Sequence, residues 1–172
     1  SLISLDPKYV IFSLLALIFG DGFNFIEKKF SKKLCGDVPI CNRPLFLDGT
    51  GSVETCGVFQ KHHLLNSLDK LKTHSFGMPS GHSQLVALTA TFWILYQIGH
   101  IKKETDNYKK NLLILSTIIM SVLALLVMYQ RYYTRCHNIE QIIVGGSLGV
   151  LFGFLAYIVA SNIEGVDIPD IN

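Results

Sequence analysis

The sequence predicts an all-α integral membrane helical bundle, with about four transmembrane helices and an interfacial helix. Three observations predict it. Of 172 residues, 49% are apolar and 16% charged, where a soluble domain carries about 25% charged residues. The mean hydropathy is +0.38. The apolar residues gather in four long stretches, and a spanning helix needs roughly 17–25 such residues. A soluble bundle would show a polar stripe along each helix, and the third and fourth stretches show almost none. Fifteen basic against 13 acidic residues leave a formal charge of +2, so the chain has no polyelectrolyte character and nucleic acid is not an expected partner. Four cysteines are too few for a small disulfide scaffold.

Taken in order, the first stretch is residues 9–26, with Asp21 and Asn24 in its last third. It lacks a basic start and a small-residue cleavage site, so it reads as a span and not a signal peptide. The chain starts at Ser1 without Met, which leaves room for an upstream piece. Residues 34–59 read as a loop, with Gly36, Pro39, Pro44, Gly49, Gly51 and Gly57. Residues 60–75 read as a short amphipathic interfacial helix. The second stretch is 85–101, interrupted by Gln97 and His100; the third is 112–129 and the fourth 142–160. The tail from Ser161 is polar and mildly acidic. There are no internal repeats, and one domain over residues 1–172 is expected.

Four spans place residues 27–84 and 130–141 on one membrane face. That face holds ten of the 15 Lys and Arg residues and five of the six histidines. Lys102, Lys103, Lys109 and Lys110 occupy a short loop on the other face, the kind of loop the positive-inside rule weighs most. Charge alone leaves the orientation open.

Three polar clusters lie at the span ends of the first face. Lys28, Lys29, Lys32 and Lys33 are spaced one turn apart in pairs, followed at a distance by Arg43-Pro44. By themselves they suit a basic collar at lipid head groups. The second cluster is residues 77–83. There Pro79 suits a first helical turn, which would leave the amides of Ser80, Gly81 and His82 free to attract phosphate. Gly81 would admit close approach of a ligand to the backbone. An ordinary serine cap is the bland alternative. In the third cluster, Arg131 offers a bidentate phosphate contact, and His137 and Gln141 are i and i+4, so the amide can orient the imidazole. A tyrosine belt with snorkelling arginines is the alternative there. The joint placement favours a site, because charged groups near a bilayer are costly unless functional.

Arg43-Pro44, Pro79-Ser80-Gly81-His82 and Arg131-x5-His137 resemble the three signatures of the type 2 phosphatidic acid phosphatase (PAP2) superfamily, over roughly residues 20–155. Within it, Gly22-x-Asn24, residues 77–84, His137 with Gln141, and Gly145-Gly146 are most similar to dolichyl-diphosphate phosphatases. The resemblance implies a membrane hydrolase that cleaves a polyprenyl diphosphate to the monophosphate and inorganic phosphate through a phosphohistidine. It implies that His137 is the nucleophile, His82 the general acid and Gln141 the orienting partner. Lys28, Arg43, Ser80, Gly81 and Arg131 would bind the phosphate. No metal or other cofactor is implied. The expected partners are the lipid phosphate and membrane lipid, and the expected location is the endoplasmic reticulum with the site lumenal. The alternatives are a general lipid phosphatase acting on phosphatidic acid or undecaprenyl diphosphate, and a catalytically silent protein that binds lipid phosphate.

The chain departs from the family pattern at three places. Lys28 stands 15 positions before Arg43, where the pattern has seven. Either an insertion loops out, closed by a Cys35–Cys41 disulfide, or Lys32 or Lys33 takes the role. Gln130 replaces a serine before Arg131. Gln141 stands where most of the superfamily has Asp, with Glu140 as an alternative partner at i+3. Of the remaining features, Gly145, Gly149 and Gly153 read as close helix packing. His62, His63 and His74 fit no usual metal spacing. Cys56 and Cys136 have no sequence-adjacent partner. The family usually has more spans than four.

Overall fold

The computed structural model describes residues 6–35, 38–43, 77–165 and 167–169. Among the described residues the fold is built from four long helices. Helix α1 runs Pro7–Cys35. It comprises Pro7–Ala16, a π-helical segment Leu17–Gly22, and Phe23–Cys35. Helix α2 is Gly81–Lys103, α3 is Asn107–Tyr133 and α4 is Ile139–Ser161. Each contains its predicted apolar stretch and runs beyond it. The Lys28–Lys33 cluster, expected in the polar segment after the first span, is therefore helical. The interfacial helix expected at 60–75 and most of the loop at 34–59 lie outside the described residues.

Local chemistry sets the helix ends. Asp6 caps α1 by accepting from the Lys8 amide at 3.1 Å, with Pro7 in the first turn. Asp106 caps α3 by accepting from the Tyr108 amide at 2.8 Å. His100, Lys102 and Lys103 lie in the last turn of α2, where cations complement the helix dipole.

Helices α1, α3 and α4 are long and apolar enough to cross a membrane. Helix α2 has 23 residues, about 35 Å at 1.5 Å per residue. It is the more polar one because it is the central one, packing against all three others. Its polar side chains face protein: Gln84 is fully buried, and Gln97 bonds Ser116 Oγ at 2.9 Å and Thr117 Oγ1 at 2.6 Å on α3. Such interhelical bonds hold spans together where lipid gives no hydrophobic drive.

The closest contact is α2 against α4. A Cβ on Gly145, Gly149 or Gly153 would collide with the carbonyl oxygen of Ser80, Gln84 or Leu88 respectively. Both rows repeat every four residues, so one glycine seam of α4 lies along one carbonyl row of α2. This is the packing role expected for the glycines. Away from the site, Phe92, Ala156, Tyr157, Ala160 and Ile168 form the core, with Phe12 and Trp93 against it. Ile168 comes from the tail, whose Pro169 carbonyl accepts from the Tyr157 hydroxyl. The polar tail therefore docks through its two apolar residues.

Candidate active site

The C-terminal half of α1, the segment 38–43, the N-terminus of α2, the end of α3 and the start of α4 meet at one end of the bundle. Backbone bonds pin them. The Gly77 amide donates to the Cys41 carbonyl at 2.9 Å and the Ser80 amide to the Gln141 carbonyl at 3.1 Å. The Arg131 carbonyl accepts from Cys136 at 3.1 Å and His137 at 3.3 Å. The five residues between Arg131 and His137 thus close a tight turn. Arg135 takes the left-handed conformation, φ 53°, at its tip.

His137 is 2% exposed. Its Nδ1 lies 2.9 Å from Gln141 Oε1. The orientation of that amide is set independently, because Gln141 Nε2 donates to the carbonyls of Ile40 at 2.9 Å and Asn42 at 2.8 Å. Oε1 must then face the imidazole as an acceptor, so Nδ1 carries the proton. The lone pair is left on Nε2. Burial pushes the His137 pKa down to about 4; the Gln141 bond opposes this, and the charges of Arg43, Lys28 and His82 reinforce it. The imidazole is therefore neutral at neutral pH, the form needed for attack. For a His137 that acts as nucleophile, the acid limb of kcat/KM is expected near pH 4, once the substrate's own ionisation is subtracted. An enzyme limb at the ordinary histidine value of 6.5 would contradict a buried neutral nucleophile.

The cations are placed for an anion. Arg43 Nε and Nη1 and Arg131 Nε are buried without a hydrogen-bond partner among the described residues. Among the described residues neither arginine pairs with a carboxylate. Burial, then the nearby Arg131, lowers the Arg43 pKa, so an anion between the two guanidinium groups would relieve both effects. Lys28 is half-buried and its charge reaches Arg43, His82 and His137. Lys32 and Lys33 are exposed. Of the three candidate lysines, Lys28 is the one brought to the site.

The N-terminus of α2 differs in detail from expectation. Ser80 is the N-cap, fully buried, accepting from the Ser83 amide at 3.4 Å and the Ser83 hydroxyl at 2.9 Å. Pro79 precedes the cap and is not in the first turn. The Ser80 amide is occupied by the Gln141 carbonyl. Gly81 and His82 are left as the first-turn amides. Glu140, the alternative partner for His137, is exposed. With Ile40, Tyr132, Asn138 and Ile139 it lines an open groove of about 510 Å³ beside the site.

The profile of the PAP2 superfamily matches residues 9–164, nearly the whole chain. The chain belongs to the PAP2 superfamily. Dolichyldiphosphatase 1 of Dictyostelium discoideum is 32% identical over 97 residues, covering 56% of this chain and 41% of that protein. Dolichyldiphosphatase of Saccharomyces cerevisiae is 38% identical over 93 residues, covering 52% of this chain and 36% of that protein. The chain thus spans less than half the length of these curated relatives. No solved structure matches it.

Against the PAP2 pattern, the long spacing from Lys28 to Arg43 has a simple geometry. Helix α1 continues to Cys35, and a Cys35–Cys41 disulfide, with Cα atoms 6.3 Å apart, closes the turn that follows. That turn returns Arg43 to the site and presents the Ile40 and Asn42 carbonyls to Gln141. Backbone carbonyls leave no side-chain signature, so this contribution was not legible. Asp21, whose charge reaches both Lys28 and His82, was also missed as a site residue. Its signal was a carboxylate inside an apolar stretch. Pro44, Cys56, His62, His63 and His74 lie outside the described residues. Cys136 is buried and is not a free thiol.

Proposed function

We propose that this PAP2 protein is a membrane lipid-diphosphate phosphatase. It hydrolyses a polyprenyl, dolichyl-type diphosphate to the monophosphate plus inorganic phosphate. The observation that carries the reading is His137 Nδ1 at 2.9 Å from Gln141 Oε1, beside buried Arg43 and Arg131 nitrogens that have no hydrogen-bond partner among the described residues. In the first step His137 Nε2 attacks the terminal phosphorus, the P–O bond to the bridging oxygen breaks, and His82 donates a proton to that oxygen. Burial and the charges of Arg131, Arg43 and Lys28 push the His82 pKa down to about 4 in the free site, and the bound diphosphate anion has to raise it again for this step. Arg43, Arg131, Lys28 and the Gly81 amide stabilise the charge on the transferred phosphoryl group. In the second step water attacks the phosphohistidine, His82 takes its proton, the P–N bond breaks and phosphate leaves. Because the site is at the span ends, the prenyl tail stays in the bilayer throughout. The names of the curated relatives support the choice of diphosphate.

Two signals agree on orientation. A disulfide on the site face fits an oxidising compartment, and exposed Lys102, Lys103, Lys109 and Lys110 on the opposite face fit the cytoplasm. We place the site in the lumen of the endoplasmic reticulum.

The test is phosphate release by purified full chain in detergent, without divalent metal, from polyprenyl diphosphate and from phosphatidic acid. Faster release from the diphosphate is expected. Equal or faster release from phosphatidic acid would favour a general lipid phosphatase. No release from either lipid by folded protein would leave a silent phosphate-binding protein and sink the enzyme reading.

A further inference from the structure

Two buried amides join α1 to α2 just beneath the proposed site. Asn24 is 7% exposed and Gln84 is fully buried. Asn24 Nδ2 donates to Gln84 Oε1 at 2.6 Å. Gln84 Nε2 donates to the Phe19 carbonyl at 3.2 Å. That carbonyl belongs to the π-helical segment Leu17–Gly22, and π segments recur where a helix is adapted to a functional site. Asn24 also shapes the α2 terminus: its Oδ1 would be 2.9 Å from a Cβ on Gly81. Asn24 and Lys28 are i and i+4 on one face of α1. Gln84 is three residues beyond Gly81 and two beyond His82.

The bond therefore ties the turn carrying Lys28 to the turn carrying Gly81 and His82, where Gln84 also bonds the Phe19 carbonyl and the Glu27 carboxyl of α1. Anchoring α1 to α2 in the bilayer does not require buried amides. Phe12 already packs against Phe92 and Trp93 with tilted rings, centroids 4.8 and 5.1 Å apart. What the amides add is direction, because a hydrogen bond fixes register where apolar packing tolerates a slide.

We infer that Asn24 and Gln84 are positioning residues, an amide latch that holds Lys28 in register with the Gly81 amide and His82. The inference rests on the phosphatase reading. Neither side chain touches the phosphate. The latch sets how the cation of one helix and the acid of the next meet the same phosphoryl group, and a misplacement of about 1 Å can cost about 100-fold in rate.

The test uses full chain in detergent with Asn24→Leu, Gln84→Met and the double variant, both substitutions being apolar and similar in shape to the residues they replace. Two readouts are taken: kcat and KM for polyprenyl diphosphate, and backbone hydrogen exchange of residues 20–28 and 81–90. Each single variant is expected to lose about 10- to 100-fold in kcat with KM nearly unchanged. The double variant should be no worse than Gln84→Met, because that variant already removes the Asn24–Gln84 bond together with the bond to the Phe19 carbonyl. Exchange should rise together in both segments and stay unchanged in residues 107–161. Unchanged kcat with faster exchange would make the pair structural only and overturn the inference. Multiplying losses in the double variant would overturn it too, since the residues would then act separately. If the wild-type protein releases no phosphate, the phosphatase reading fails by itself. Exchange then decides the latch, and unchanged exchange in both segments overturns it.

Discussion

His137→Ala is expected to lower steady-state phosphate release by at least about 10³-fold, because it removes the group that forms the covalent intermediate. Binding should survive, since Arg43, Arg131 and Lys28 remain, so KM should change far less than kcat. His82→Ala is expected to behave differently, and the difference follows from the leaving group. A diphosphate expels a phosphate monoester whose second pKa is about 6. Phosphatidic acid expels an alkoxide, a far stronger base whose conjugate acid is about as weak an acid as water. The first needs little help from a general acid and the second a great deal. With diphosphate, His82→Ala should still phosphorylate His137 but hydrolyse the intermediate slowly, because no base remains to activate water. Turnover should fall about 10²- to 10⁴-fold, the usual worth of a general acid–base. Acid-labile, base-stable phosphohistidine should accumulate on His137, readable by mass spectrometry. With phosphatidic acid neither step should proceed. Steady release by His137→Ala would refute the nucleophile. Equal phosphorylation of His82→Ala by both lipids would refute the general acid.

The parts of the fold legible in the sequence were those written in side-chain type. Four apolar stretches gave four helices, and Gly145, Gly149 and Gly153 gave the seam to α2. The spacing of His137 and Gln141 gave their bond. What was not legible was written in backbone. The extension of α1 to Cys35 depends on Lys and Ser residues that are good enough helix formers once packing has started the helix. The occupied Ser80 amide depends on a carbonyl of another helix. The choice among Lys28, Lys32 and Lys33 depends on which way the helix faces after a π segment, which separates Lys28 from Lys33, and on height along the axis, which separates Lys28 from Lys32 one turn further on the same face. Asn24 was visible as an amide inside an apolar stretch, but only the fold brings it within 2.6 Å of Gln84, 60 positions away.

Gln141→Asp, the substitution that would restore the commoner family residue, is expected to damage this protein. Gln141 is fully buried and makes bonds of both senses. Its Oε1 accepts from His137 at 2.9 Å and from the Asn138 amide at 3.4 Å. Its Nε2 donates to Ile40 and Asn42. Aspartate is one methylene shorter and, when ionised, only accepts. It would direct charge at two carbonyl oxygens and leave them unpaired, at a cost of about 1–3 kcal/mol for each buried group. Thermal stability and phosphate release should both fall, and Gln141→Leu should be worse because His137 also loses the partner that fixes its tautomer. The double variant Cys35→Ser/Cys41→Ser should reproduce part of the loss, since it frees the turn that presents the two carbonyls. Retention of stability and activity by Gln141→Asp would show that the carbonyl bonds do not matter. The expected loss would show that the lengthened Lys28–Arg43 segment and the glutamine are a single adaptation. A loop that offers carbonyls to this position needs a donor there, and an amide is the side chain that can donate to the loop while still accepting from the imidazole.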